Sequence, residues 1–433
     1  MRIDSRTILE YIKSPLYRNS LFLMTSTVAR AGLGFIFWII VARLYTEVEV
    51  GLGSATVSAM AFLEMLGVMG LGAAIIRFLP KAEKPKELIN SCLTLSGIVA
   101  LALAIIFIAG LDIWSPALSF IKENIIFSLA FVFFVTILAL LPVIDSVFIA
   151  RRRAELTLFR VTTVLLLRLP LPIFLAFFFH AFGIAASWGI AAAIAVVISL
   201  FFSIPQVQKG YKPLPSLNPG IIGNMWRYSA GSYLASLAAS APVYILPLLV
   251  VNILGAEQNA YFYVAWMIAN LLFAVPTAVS QSLFAEGAHF EEELWSNVRK
   301  SLKFVFLILV PAVILVVVLA KWLLLLFGGG YSVNALLLLR ILCLSSLFIG
   351  INRIYASTLR VEDRIRELVI IYTLQAAAVL VGSYFVIPLA GIVGIGYVWL
   401  AAEGLISIYA ISAMGARYRA SRAGQNNKRW RQK

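Results

Sequence analysis

The 433 residues are 62% hydrophobic and only 13% charged, against about 45–50% apolar and about 25% charged for a soluble globular domain. That excludes a soluble enzyme, a disordered chain and a small secreted scaffold. Lysine and arginine number 35 against 20 acidic residues, a formal net charge of +15, so the placement of the basic residues must decide between a nucleic-acid partner and a membrane topology.

Residues 1–20 are polar and basic. Ile3, Ile8, Leu9 and Ile12, set among charges, predict a short helix lying on a membrane surface. The apolar stretch that follows is far too long for the core of an excised signal. A run of about 20 apolar residues crosses a bilayer core roughly 30 Å thick at about 1.5 Å per residue. Twelve such runs follow in order: 21–42, 50–76, 91–111, 125–150, 161–179 and 183–204, then 228–251, 260–284, 302–320, 333–351, 368–386 and 392–414. Nothing between them is long enough for a folded soluble domain. Segment 205–227, with Pro205, Pro213, Pro215 and Pro219, reads as a cytoplasmic linker between two halves. The end of the chain, 415–433, is basic and poor in apolar residues, which predicts a disordered tail held near anionic headgroups. Cys92 and Cys343 both fall in apolar runs, with neither a disulfide framework nor metal-ligand spacing.

Alternating the connectors places 29 of the 35 Lys and Arg on the side of the N-terminus. Three (Arg43, Lys122, Lys321) fall on the other side and three (Arg30, Arg168, Arg340) within runs. Cytoplasmic loops carry the excess of Lys and Arg. The charge therefore records topology, and the sequence predicts an all-α integral membrane protein of twelve transmembrane helices in the cell membrane, both termini cytoplasmic, with no nucleic-acid partner.

Sliding the chain on itself by about 208–209 residues superimposes the first six runs on the last six. Gly183-Ile184, opening the sixth, falls on Gly391-Ile392, opening the twelfth. Two six-helix lobes, 21–204 and 228–414, are thus predicted, related by a pseudo-two-fold axis along the membrane normal, as in secondary transporters. The loop after the second run, Arg77-Phe-Leu-Pro-Lys-Ala-Glu-Lys-Pro-Lys86, lacks the Gly/Asp/Arg/Lys signature of major facilitators.

The segments GFIFWIIVAR (34–43) and GVMGLGAAIIRFLP (67–80), the Gly51 that follows a short outer turn, and the Gly-Ile openings of the sixth and twelfth runs resemble another group. It is the polysaccharide-biosynthesis flippase family, the lipid-linked oligosaccharide branch of the multidrug/oligosaccharidyl-lipid/polysaccharide (MATE-like) superfamily. Met69 stands where relatives often carry an acid. The resemblance implies a MATE-like fold and a flippase for polyprenyl-(pyro)phosphate-linked sugars, working by alternating access. It also implies glycosyltransferases or a polymerase of one pathway as neighbours.

Charges within a bilayer usually face a bundle interior or a wet cavity. Arg30 is central in the first run, and its planar guanidinium suits a substrate phosphate; the alternative is a neutralising pair with Glu64 of the second run. Arg340 and Glu403, central in the tenth and twelfth, pose the same choice between binding and pairing. Arg168 reads as structural, its stem snorkelling to the interface, and Asp145 as a partner of the Arg151–Arg153 cluster. Ser229, Ser232, Ser236 and Ser240 share a helix face, as a packing seam or as the wall of a sugar-binding cavity. In the second case Pro242 and Pro247 supply a hinge. Asn270, Thr277 and Gln281 share a face of the eighth run, to bind sugar hydroxyls or to bond across to the seventh. Tyr261, Tyr263 and Trp266 read as interfacial anchors.

No ATP-binding loop, nucleophile–base pair or metal cluster is present in the sequence, which predicts a carrier with no cofactor. An H+ or Na+ gradient is the available drive, and Glu64 and Glu403 are the candidate ion carboxylates. Two other functions remain open. A cation-exporting antiporter of the same fold needs acids where Arg30 stands, and a membrane glycosyltransferase would use Glu47 and Glu49 of the first outer turn.

Overall fold

The computed structural model describes residues 15–287 and 294–431. The expected N-terminal surface helix lies outside the described residues. Every regular element among the described residues is helical, as the apolar runs require, since a backbone crossing lipid must satisfy its polar groups internally.

Among the described residues ten helices are long and apolar enough to cross a membrane, where the sequence marks twelve runs. The difference lies in continuity. The main helices in chain order are α1 (Pro15–Leu44), α2 (Glu47–Val68), α3 (Leu71–Phe78), α4 (Pro85–Ala109), α5 (Ile125–Ala150), α6 (Ala154–Arg168), α7 (Leu171–Ile198), α8 (Pro219–Ile253), α9 (Ala256–Gly287), α10 (Leu294–Leu325), α11 (Leu336–Val361) and α12 (Ile365–Arg431), and all but α3 and α6 belong to the ten. The fifth run is split between α6 and the start of α7. Within α7, His180 leaves helical geometry (φ 45°, ψ −132°), and within α12 Gly391 does the same (φ 59°, ψ −152°). These breaks fall between the fifth and sixth runs and between the eleventh and twelfth. Gly391 reaches its positive φ without a Cβ to oppose it, so the second Gly-Ile pair marks the break. In the first half His180 takes that role, three residues before Gly183.

The second run also breaks. α2 starts on a capping box between Thr46 and Glu49, which satisfies orphan N–H groups at its first turn. It stops at Met69 and Gly70, both left-handed (φ 50° and 71°). The Leu66 carbonyl accepts from the Met69 N–H at the cap and also from the hydroxyl of Tyr233 at 3.3 Å. A Cβ on Gly70 would lie 2.7 Å from the Cβ of Tyr233, so the break and α8 fit one another closely.

Contacts group the chain into two compact units. The first holds the residues up to Leu237 with Val243–Ala260, and the second holds Ala238–Pro242 with the residues from Tyr261 onward. In the first, α5 packs on α2, α4 and α7, and α1 lies along α6. Its α2 buries Gly51, Gly53, Ser54, Ala55, Ser58 and Ala59, small residues that let helix backbones approach closely. In the second, α11 packs against α10 and α12 around Tyr261, Phe327, Tyr331 and Tyr355.

Two connecting segments are more ordered than their composition predicts. Helix persists to Val207 and resumes at Pro219, leaving a strap that docks on the first turns of α4. Asn90 Nδ2 donates to the Lys212 carbonyl at 3.0 Å. The Ser216 and Asn218 N–H groups donate to Thr94 Oγ1 and Ser91 Oγ at 3.1 and 3.2 Å. Tyr211 is buried, which pushes its phenol up. The basic tail, in turn, is not a disordered segment as far as Arg431, because α12 continues to that residue. Its emergence is clamped by Arg417, which reaches Glu362 at 2.8 Å and Glu367 at 2.7 Å and stands 5.5 Å over the Tyr355 ring.

Candidate functional site

The charge buried among the described membrane helices of the first unit lies on two elements, α5 and α6, and a third, α1, brings a half-exposed arginine to it. α6 buries Thr157, Arg160, Val161, Leu165 and Arg168, a spacing of three and four that puts both arginines on its inner face. Asp145 lies on the buried stretch of α5 after Pro142. Arg160 grips it with a fork: Nε donates to Oδ1 at 2.7 Å and Nη2 donates to Oδ2. Arg30 of α1 reaches the same Oδ2 with Nη2 at 3.4 Å. Side-chain exposures are 5% for Arg160, 12% for Asp145 and 55% for Arg30. One arginine is thus sealed and bidentate, while the other is half exposed and, among the described residues, holds one long contact.

This corrects three sequence expectations. The Arg30–Glu64 pair does not form, because α1 packs along α6 and scarcely touches α2. Glu64 lies within electrostatic reach of Arg30, Arg160 and Asp145. Asp145 pairs with Arg160 and Arg30 rather than the cluster at 151–153, and the Arg151 guanidinium bonds instead to Gln208 Oε1. Arg168 does not snorkel. It is buried, with its guanidinium 4.6 Å from the Phe37 ring centroid and 4.1 Å from that of Trp188, a desolvated cation–π sandwich. Arg160 escaped sequence reasoning because it follows three consecutive arginines and reads as their loop. The signal available was its distance of eight residues from Arg168, about two helical turns.

In the second unit Glu403 is buried and held by neutral donors. Asn352 Nδ2 donates to Oε2 and Gln375 Nε2 to Oε1, each at 2.6 Å. Ser407 Oγ donates to Asn352 Oδ1 at 2.9 Å and so fixes the amide. The Arg340–Glu403 pair is not formed: Arg340 is exposed and makes no ion pair among the described residues. The amides on α11 and α12 satisfy the carboxylate in its place.

The polar stripes divide. Ser229 is buried and donates to the Met225 carbonyl at 3.0 Å. Ser232 and Ser236 are exposed, so they form no packed seam. α8 runs on through Pro242 and Pro247. Asn270 and Thr277 each donate to their own helix, to the carbonyls of Trp266 (3.0 Å) and Phe273 (2.8 Å). Gln281 is exposed. Tyr261 and Trp266 are not interfacial anchors but core. Tyr261 meets Tyr331 edge-on at 5.3 Å, and Trp266 meets Trp399 at 4.6 Å.

Of the two acids in the first turn of α2, Glu49 has structural work. The Glu49 carboxylate accepts from Thr46 N and Oγ1, both at 2.9 Å, and lies 3.1 Å from His180 Nδ1. Among the described residues no cluster of three His, Cys, Asp or Glu is arranged to hold a metal ion.

Residues 16–284 match the family model described as polysaccharide biosynthesis protein. A "Putative O-antigen transporter" of Shigella flexneri is 24% identical over 172 residues, 38% of this chain and 40% of that protein, so the match spans two fifths of the relative's length. Among solved structures, the lipid II flippase MurJ in an inward closed conformation superimposes with a TM-score of 0.75 at 13% identity, covering 91% of this chain and 87% of that one. An inward-facing multidrug resistance MATE transporter gives 0.65 at 16% identity over 94% and 96%. The same values describe a transporter of the multidrug/oligosaccharidyl-lipid/polysaccharide superfamily from Pyrococcus furiosus whose binding pocket has reversed polarity. At these identities the likeness establishes the fold: a multi-pass, all-helical MATE-like membrane protein.

Proposed function

Because this chain belongs to the polysaccharide biosynthesis protein family, we propose that it is a flippase. It moves a polyprenyl-(pyro)phosphate-linked oligosaccharide across the cell membrane by alternating access, with both termini in the cytoplasm. The observation that carries this reading is Arg30. It lies in the middle of an apolar run, is half exposed, and among the described residues has one long ion pair, at 3.4 Å. An arginine so placed is costly and suits an anion whose oxygens it can bind in pairs. It also disfavours a cationic cargo, so the anionic substrate leads over the antiporter.

Sugar hydroxyls would be met by Ser232 and Ser236, both exposed, and on α9 by exposed Gln281. Asn270 and Thr277, whose donors serve their own helix, keep acceptor capacity. Pro242 and Pro247 are the candidate points of bending in α8. Glu64 and Glu403 are the candidate carboxylates for proton or sodium coupling. Glycosyltransferases and a polymerase of the same pathway are the expected neighbours.

The test uses the full chain in phosphatidylethanolamine/phosphatidylglycerol vesicles with a fluorescent polyprenyl diphosphate monosaccharide. A charged hydrogen-bonded contact contributes about 1.5–3 kcal/mol, so Arg30→Ala is expected to slow translocation by about tenfold to a hundredfold. Transport at the parent rate by a folded Arg30→Ala protein overturns the phosphate contact.

A further inference from the structure

Asp145 is shared unequally by two arginines, and the inequality assigns it a task. Both touch the same oxygen, Oδ2. The sealed arginine, Arg160, also takes Oδ1 at 2.7 Å, while the half-exposed one, Arg30, stays at 3.4 Å. A guanidinium in an apolar run needs a counter-ion, yet a tight bidentate partner would leave no room for a ligand. Arg160 resolves the conflict, since by gripping the carboxylate it weakens the hold of Asp145 on Arg30.

Resting on the reading that Arg30 meets the substrate phosphate, we infer that Asp145 is an exchangeable counter-ion for Arg30, kept in place and partly neutralised by Arg160. With no headgroup present, Asp145 balances Arg30. An arriving phosphate binds Arg30 with two parallel hydrogen bonds and displaces the single long contact, while Asp145 stays on Arg160. On release Asp145 covers Arg30 again and opposes rebinding. Asp145 and Arg160 are thus positioning residues, acting through Arg30 and not touching the substrate.

The probe is geranylgeranyl diphosphate, bound to the purified full chain in detergent, with translocation of the fluorescent lipid measured in vesicles. Asp145→Asn removes the competitor, so binding tightens about tenfold and turnover slows: KM and kcat fall together. Arg160→Met frees the carboxylate to seize Arg30, so binding weakens about tenfold. In the double variant the freed carboxylate is absent, and binding returns to the parent level or tighter. That rescue is the mark of the counter-ion. A purely structural role gives weaker binding in both single variants and weaker still in the double, and that pattern overturns the inference. If Arg160→Met fails to fold, Arg160→Lys, which keeps the charge and loses the fork, is expected to weaken binding by a smaller factor; unchanged binding there counts against it. Arg30→Ala separates the two readings. Parent-level binding in that variant sinks the phosphate contact itself, whereas lost binding with no tightening in Asp145→Asn sinks only the counter-ion.

Discussion

Gly51 offers the sharpest test of the packing. A Cβ built there lies 1.7 Å from the carbonyl oxygen of Ala256 and 2.5 Å from its carbon. Both are backbone atoms at the start of α9, so no side chain can rotate aside. Reaching ordinary contact requires the two backbones to part by roughly 1.5 Å. The same movement breaks the bond from Asn259 Nδ2 to the Gly51 carbonyl, now 2.8 Å, because the added separation carries it beyond hydrogen-bond range. Overpacking costs about 1–3 kcal/mol, and an interhelical polar bond in a membrane protein contributes about 0.6–1.7 kcal/mol. Gly51→Ala should therefore destabilise by about 2–4 kcal/mol. The assay is unfolding by titrated SDS in mixed micelles, followed by tryptophan fluorescence. Gly32→Ala is the control: its Cβ meets nothing within 4 Å, and alanine in a helix should match or stabilise. Asn259→Ala alone should cost about 1 kcal/mol. Added to Gly51→Ala it should cost almost nothing, since the bond is already lost. Full additivity of the two, or a Gly51→Ala protein as stable as its parent, refutes the close approach.

Two further substitutions separate structure from transport. Arg168→Met keeps the volume between Phe37 and Trp188 and removes the cation; with two desolvated cation–π contacts of about 2 kcal/mol each, stability should fall by about 4 kcal/mol in the same titration, while the folded fraction translocates at the parent rate. Slower flipping per folded molecule would instead give Arg168 a part in transport. Glu403→Gln turns an –NH2 group towards either Asn352 or Gln375, both donors. Any gradient-driven stimulation, of about fivefold or more if coupling is typical, should disappear from vesicle assays with imposed Na+ or pH gradients, and persistence of that stimulation removes Glu403 from the coupling path.

The sequence reads depth well and direction poorly. Runs of apolar residues marked the crossings because lipid leaves a spanning backbone few options, and Gly391-Ile392 marked a chain break because glycine alone reaches that φ freely. Arg30 was legible as a central charge. Its partner was not: Asp145 is 115 residues away, and which acid faces an arginine depends on which helix packs beside it. The same gap turned Arg168 and Trp266 outward, when Arg168 faces the rings of Phe37 and Trp188 and Trp266 that of Trp399, each inside its own unit. Arg160 was hidden differently, by neighbours that made a buried residue look like part of a loop.

The strap at 208–218 carries a consequence for how such a protein can drift over evolutionary time. Several of its anchors are its own main-chain groups, the carbonyl of Lys212 and the N–H groups of Ser216 and Asn218, set against the side chains of Asn90, Thr94 and Ser91. Main-chain groups survive most substitutions, so its composition can wander. Its length cannot: one residue inserted or deleted slips every anchor out of phase with α4. Relatives should therefore vary freely in the letters of this segment while keeping its count, and should tolerate insertions elsewhere before they tolerate one here.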